Sequence, residues 1–176
     1  MRIKASTKFK SNEEFQEIAK YLQHMLFLDD WFIKFQLVAD TIHYERDEDN
    51  TTRDAVGLTT YDYGNREATI YVQNGDNSSE KSDEDDDNVL KNIALLNLIH
   101  ELLHLKEEYI VLSDCYPNLV DNLSDTDKVH KHMHLEQMAK SIFMAITGAD
   151  KDFFYKWGHI PMGDASQIIF RRTANV

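Results

Sequence analysis

Apolar side chains recur at helical spacing near the start of the chain, where Phe15, Ile18, Ala19, Leu22 and Leu26 fall on one face. Ser11 or Asn12 supplies an N-cap, and Glu13 and Glu14 suit the positive end of a helix, so the pattern predicts a helix over 11–28. The period then changes. In WFIKFQLVA, Ile33, Phe35 and Leu37 alternate with Lys34 and Gln36, as in a strand with one buried face. TIHYER reads as a second, paired strand, and residues 47–54 read as a polar connection. AVGLTTYDY and REATIYVQ follow as two arms joined through Gly64-Asn65, a hairpin signal. Ala68, Ile70 and Val72 face one way in the second arm, with Glu67, Thr69 and Tyr71 opposite. The expected sheet is small, mostly antiparallel, and has three or four strands.

Residues 74–88, NGDNSSEKSDEDDDN, contain no apolar side chain and read as a solvated, mobile loop. The aspartates lack the spacing and the glycine of an EF-hand. They immediately precede VLKNIALLNLIHELLHL, where negative charge favours a helix N-terminus. That helix is apolar almost all round and should be buried. A second helix is expected over 127–147, after a connection containing Pro117, and an irregular aromatic tail from about residue 149. Helix, small sheet and two helices in this order make an α+β domain.

Composition narrows the choices. A chain of 176 residues is one domain by length, and 42% hydrophobic residues are ample for a core. The net charge is −12, and residues 76–87 carry seven acids against one lysine. With no basic cluster elsewhere, binding to a nucleic-acid backbone is not expected. Cys115 is the single cysteine, which excludes an internal disulfide and a zinc ribbon. The first fifteen residues have no apolar core of the kind a signal peptide needs, and no stretch approaches the roughly 20 apolar residues of a membrane span. A cytoplasmic location without membrane contact is the expectation.

The chemistry concentrates in His100-Glu101-Leu102-Leu103-His104. Positions i and i+4 share one face of a helix, so both imidazoles can reach one zinc at about 2.0–2.1 Å. Glu101, beside them, can take the proton of a water acidified by that ion, for attack on a polarised carbonyl. A buried apolar helix is a costly place for two histidines and a glutamate unless something satisfies them. Zinc needs a third protein ligand. Glu107 lies a further turn away, and the candidate favoured here is Glu136, which falls among Val129, Met133, Ala139 and Phe143 in the second helix. The alternative for Glu136 is a buried salt bridge. His132, one turn earlier, is the second candidate; His130 and His134 share a face with Gln137 and Ser141 and should face solvent.

His100-Glu101-x-x-His104 on a buried helix, followed by Glu136 on the next, resembles the gluzincin branch of the zincin metallopeptidases. The order of elements is similar to its smallest members, the minigluzincins and the compact metallopeptidase-like domains of phages and mobile elements. The resemblance covers roughly residues 11–147 in architecture, while only the five-residue motif is specific. It implies a minimal zincin-like fold, a zinc held by His100, His104 and Glu136, Glu101 as general base, and a peptide or protein substrate. It also implies that the edge strand before the motif helix, EATIYVQ, pairs with extended substrate. The chain departs from the family at Leu135 and Lys140, where thermolysin-like members have an asparagine and a histidine-orienting aspartate. Tyr155 and His159 are candidates for an oxyanion donor, against ordinary packing of an aromatic tail.

Three other readings fit parts of the same pattern. One is a zincin-fold module that binds metal or protein without turnover. Another takes Glu101-x-x-His104 as half of a di-iron carboxylate site, for which no second Glu-x-x-His is present. The last is a structural domain without metal.

Overall fold

In the computed structural model, residues 3–46, 51–75, 92–114 and 125–156 are described. The first helix, α1 (Asn12–Met25), begins as its sequence dictates: Ser11 is extended and its Oγ accepts from the Glu14 backbone N–H at 3.3 Å. Glu14 reaches back to the Lys10 N–H at 2.6 Å. Phe15, Ile18, Ala19 and Leu22 are buried, the stripe the periodicity predicts. The helix ends before Leu28 because Phe27 takes a left-handed conformation, φ 56°. Gln23 then ties the turn by donating to the Leu28 and Trp31 carbonyls at 2.9 and 2.8 Å.

Five strands follow: β1 (Phe32–Val38), β2 (Ile42–Arg46), β3 (Thr51–Ala55), β4 (Gly57–Asp62) and β5 (Glu67–Gln73). They form a three-stranded sheet of order β1-β5-β4 and a separate β2-β3 ribbon. β1 runs parallel to β5, pairing Phe35 with Ile70 and Leu37 with Val72; β4 runs antiparallel to β5, pairing Thr59 with Ile70. Two of the three pairings are thus antiparallel.

Two expectations about the strands need correction here. Residues 51–54 belong to β3 and pair with β2, rather than forming a loop. The ribbon carries exposed polar pairs such as His43 with Asp54, at 2.7 Å, so it lacks the apolar alternation that marks a strand. The strand EATIYVQ is central and not an edge; the open edge beside the motif helix belongs to β4. The hairpin expected through Gly64-Asn65 is present, with a four-residue turn in which Arg66 takes the left-handed conformation (φ 54°). Asp62 stabilises this turn by accepting from the Asn65 backbone N–H and side-chain amide, and Arg66 pairs with Asp30.

The motif helix, α2 (Ala94–Asp114), starts and ends later than its apolar pattern suggests. It lies across β4 and β5 and against α3 (Asp125–Thr147). Leu95, Leu98, Ile99, Leu102, Leu103 and Leu105 are buried, as expected of a helix apolar on most sides. Among the described side chains of α3 the buried positions are Leu135, Ala139, Lys140, Phe143 and Thr147; they keep Ala139 and Phe143 of the stripe read in the sequence, while Met133 is only half-buried. A short helix, α4 (Lys151–Lys156), stands where an irregular tail is expected, and Phe153 and Phe154 stack 5.3 and 5.4 Å from Phe143. The acidic run over 76–87, its proposed action on the helix N-terminus, and the tail beyond 156 lie outside the described residues. The architecture is α+β. Among the described residues no helix is long and apolar enough to cross a membrane.

Candidate metal centre

Burial of α2 on its leucine faces leaves one strip of the helix turned to a cleft of about 800 Å³. The β2-β3 ribbon, β4, α2 and α3 all contribute to its walls. His100 and His104 stand on that strip. Their Nε2 atoms are 3.1 Å apart and their rings cross at 81°. Two donors on one tetrahedral zinc stand about 3.3 Å apart, given bonds of 2.0–2.1 Å. The helix therefore holds the pair near the spacing that a shared ion requires.

The third imidazole comes from α3. The His132 ring lies 4.7 Å from that of His100 and 5.8 Å from that of His104, and ligand nitrogens of the three residues fall within 4.8 Å of one another. Closing the third nitrogen onto a tetrahedral ion takes a movement of roughly 1–1.5 Å. His132 is exposed, so its side-chain torsions are free to supply it.

Electrostatics favours the ligating form at His100. Burial, reinforced by His104 and His132 and opposed by Glu136, lowers its pKa to about 3. His100 is therefore neutral at physiological pH, with a lone pair to offer. The donor set is three nitrogens, a chemistry that suits zinc as well as copper, nickel or iron.

Glu136 lines the same cleft one turn after His132. Its Oε1 receives a hydrogen bond from Lys140 Nζ at 2.5 Å, and Lys140 is buried while Glu136 is half-exposed. The structure thus brings His100, His104 and His132 together as a group that could hold a metal ion, with Glu136 beside them in an ion pair. Of the remaining histidines of α3, His134 is exposed. The side chains of Glu107, His130 and Tyr155, and the whole of His159, lie outside the described residues.

Glu101 faces β4. It is only 8% exposed, and its Oε2 accepts from Thr59 Oγ1 at 2.7 Å. Gly57 makes this approach possible: a Cβ there would stand 2.6 Å from Glu101 Oε1 and 3.0 Å from its Cγ. Burial raises the Glu101 pKa to about 7, against the Thr59 hydrogen bond that lowers it. Neither Gly57 nor Thr59 is marked in the sequence as part of the site. Their distance from Glu101 along the chain hides them, and only the register of β4 against α2 reveals them.

Comparisons of this chain with protein families, with curated proteins and with solved structures find no match.

Proposed function

We propose that the protein is a zinc-dependent peptidase, with His100, His104 and His132 as nitrogen donors and Glu101 as general base. The observation that carries this reading is the convergence of three imidazoles and a strand-held, buried glutamate on one cleft. Zinc bound there would supply Lewis acidity, polarising a carbonyl and acidifying a water. Glu101 does the proton work. Thr59 holds Oε2, so Oε1 is the oxygen that takes the proton and later returns it to the departing amine. A pKa of about 7 suits both transfers at neutral pH. Glu136, paired with Lys140, keeps negative charge near His100 and favours a cation in the cleft. Gly57, Thr59 and Tyr61 bring β4 into the cleft wall, and its open edge supports binding of extended peptide by strand addition. A cytoplasmic site of action belongs to the same reading and rests on the lone Cys115.

The test is cleavage of a peptide library by wild type and Glu101→Gln, with zinc content measured in both. The expected result is unchanged zinc and a loss of turnover of about 10²–10⁴-fold. Zinc bound without turnover by the wild type would instead identify a metal-binding or protein-interaction module.

A further inference from the structure

Beside the histidines, the cleft wall contains a chain of three amides whose direction is fixed. Asn92 Nδ2 donates to the carbonyls of Gln73 and Gly75 at 3.2 and 2.9 Å. Backbone carbonyls can only accept, so they determine which end of the Asn92 amide is nitrogen. The same Nδ2 meets Gln73 Oε1 at 3.1 Å, and Asn92 Oδ1 accepts from Asn97 Nδ2 at 2.5 Å. Reversing any one amide would set oxygen against oxygen or nitrogen against nitrogen. The two ends of the chain are therefore known: the NH₂ of Gln73 and the carbonyl oxygen of Asn97. Neither has a partner among the described residues.

Both end residues line the cleft that holds His100 and Glu101. Asn97 is one helical turn before Glu101 on the same face of α2. Gln73 is the last residue of β5 and only 3% exposed, and its backbone N–H is bound to Val56 just before Gly57. Among the described residues the buried side-chain nitrogen or oxygen without a partner is Trp31 Nε1, so the free NH₂ of Gln73 reaches the surface of the cleft, where a ligand can accept from it.

The pairing of a donor with an acceptor selects the ligand. A carboxylate would satisfy Gln73 and be repelled by the oxygen of Asn97. An ammonium would satisfy Asn97 and clash with the Gln73 hydrogens. An amide satisfies both. We propose that Gln73 and Asn97 form an amide-recognition subsite within the cleft. It accepts either a side-chain carboxamide or the N–H and C=O that one residue of an extended peptide turns to the same side. The inference depends on the peptidase reading only for the identity of the amide as part of a substrate.

The test is ¹⁵N NMR of the side-chain amides in the full-length protein as purified, titrated with N-acetylglutamine methylamide and N-acetylnorleucine methylamide. Shifts of the Gln73 and Asn97 side chains with both probes establish recognition of the peptide backbone. Shifts with the glutamine probe alone establish a carboxamide subsite. No shift of either side chain with either probe overturns the proposal. Gln73→Glu retains the oxygen that Asn92 needs and replaces the donor with an acceptor. It should weaken the responding probe about tenfold or more, and unchanged affinity would also overturn the proposal. Neither readout requires metal or turnover, so failure of the peptidase reading, seen as missing zinc or missing cleavage, is separable from failure of the subsite.

Discussion

Glu101 and His100 are neighbours in sequence, and burial displaces both towards neutrality, from opposite directions. Glu101 rises to about 7 and His100 falls to about 3. In the metal-free protein each displacement makes stability depend on pH. The folded state holds the Glu101 proton over a range where the unfolded chain has released it. That contribution is complete below about 4.5 and is lost as pH rises through about 7. The His100 contribution is complete above about 6.5 and is lost as pH falls through about 3. Between about 4.5 and 6.5 the two slopes oppose each other. Glu101→Gln removes one of them. The variant should gain stability relative to wild type as pH rises from about 4.5 to 7, by up to about 3 kcal/mol. Urea denaturation of both proteins in chelator across this range measures the difference, and parallel profiles would refute the account of Glu101.

At the scale of elements, α2 was the most legible part of the molecule. Its run of leucines dictates burial, and i,i+4 spacing alone aligns His100 with His104. The third histidine was harder to rank. In the sequence Glu136 falls within an apolar stripe of Val129, Met133, Ala139 and Phe143; Ala139 and Phe143 are buried, but Met133 is only half-buried and Leu135 and Lys140 share the buried face. His132 stands beside the pair on α2, and Glu136, one turn on and half-exposed in the same cleft, accepts from Lys140. A weakly amphipathic helix does not fix its own phase; the partner helix does. β3 has no apolar alternation to mark it, and its described polar side chains, Thr52 and Asp54, are exposed. The central place of β5 depends on a parallel pairing with β1 that no local pattern encodes. Phe143 provides a test of the α3 face. It is fully buried and stacks on Phe153 and Phe154, so Phe143→Ala should cost about 3–5 kcal/mol and loosen α4. A cost below about 1 kcal/mol in chemical denaturation would show that α3 packs by another face.

For the whole molecule, the sheet and α2 form the support and α3 closes the site from the other side. A ligand held by both helices would add a tie between two parts of the chain that already pack together. Zinc should therefore stabilise the fold by mass action, about 2.7 kcal/mol at a free concentration one hundred times its dissociation constant. A thermal melt with and without zinc reads this directly. An unchanged melting temperature would mean that the native state does not hold the ion. The charge of −12 acts at the same scale, favouring cations over anions near the protein in a way that salt suppresses.

The central claim is that α2 and α3 jointly hold one metal ion through three imidazoles, and metal content per chain tests it most directly. Wild type, His104→Ala, His132→Ala and Glu136→Ala would be purified in parallel and assayed for bound zinc. The account predicts about one zinc per chain in wild type and Glu136→Ala, and loss of zinc in both histidine variants. Zinc retained by His132→Ala and lost from Glu136→Ala would contradict the three-histidine site and make Glu136 the ligand.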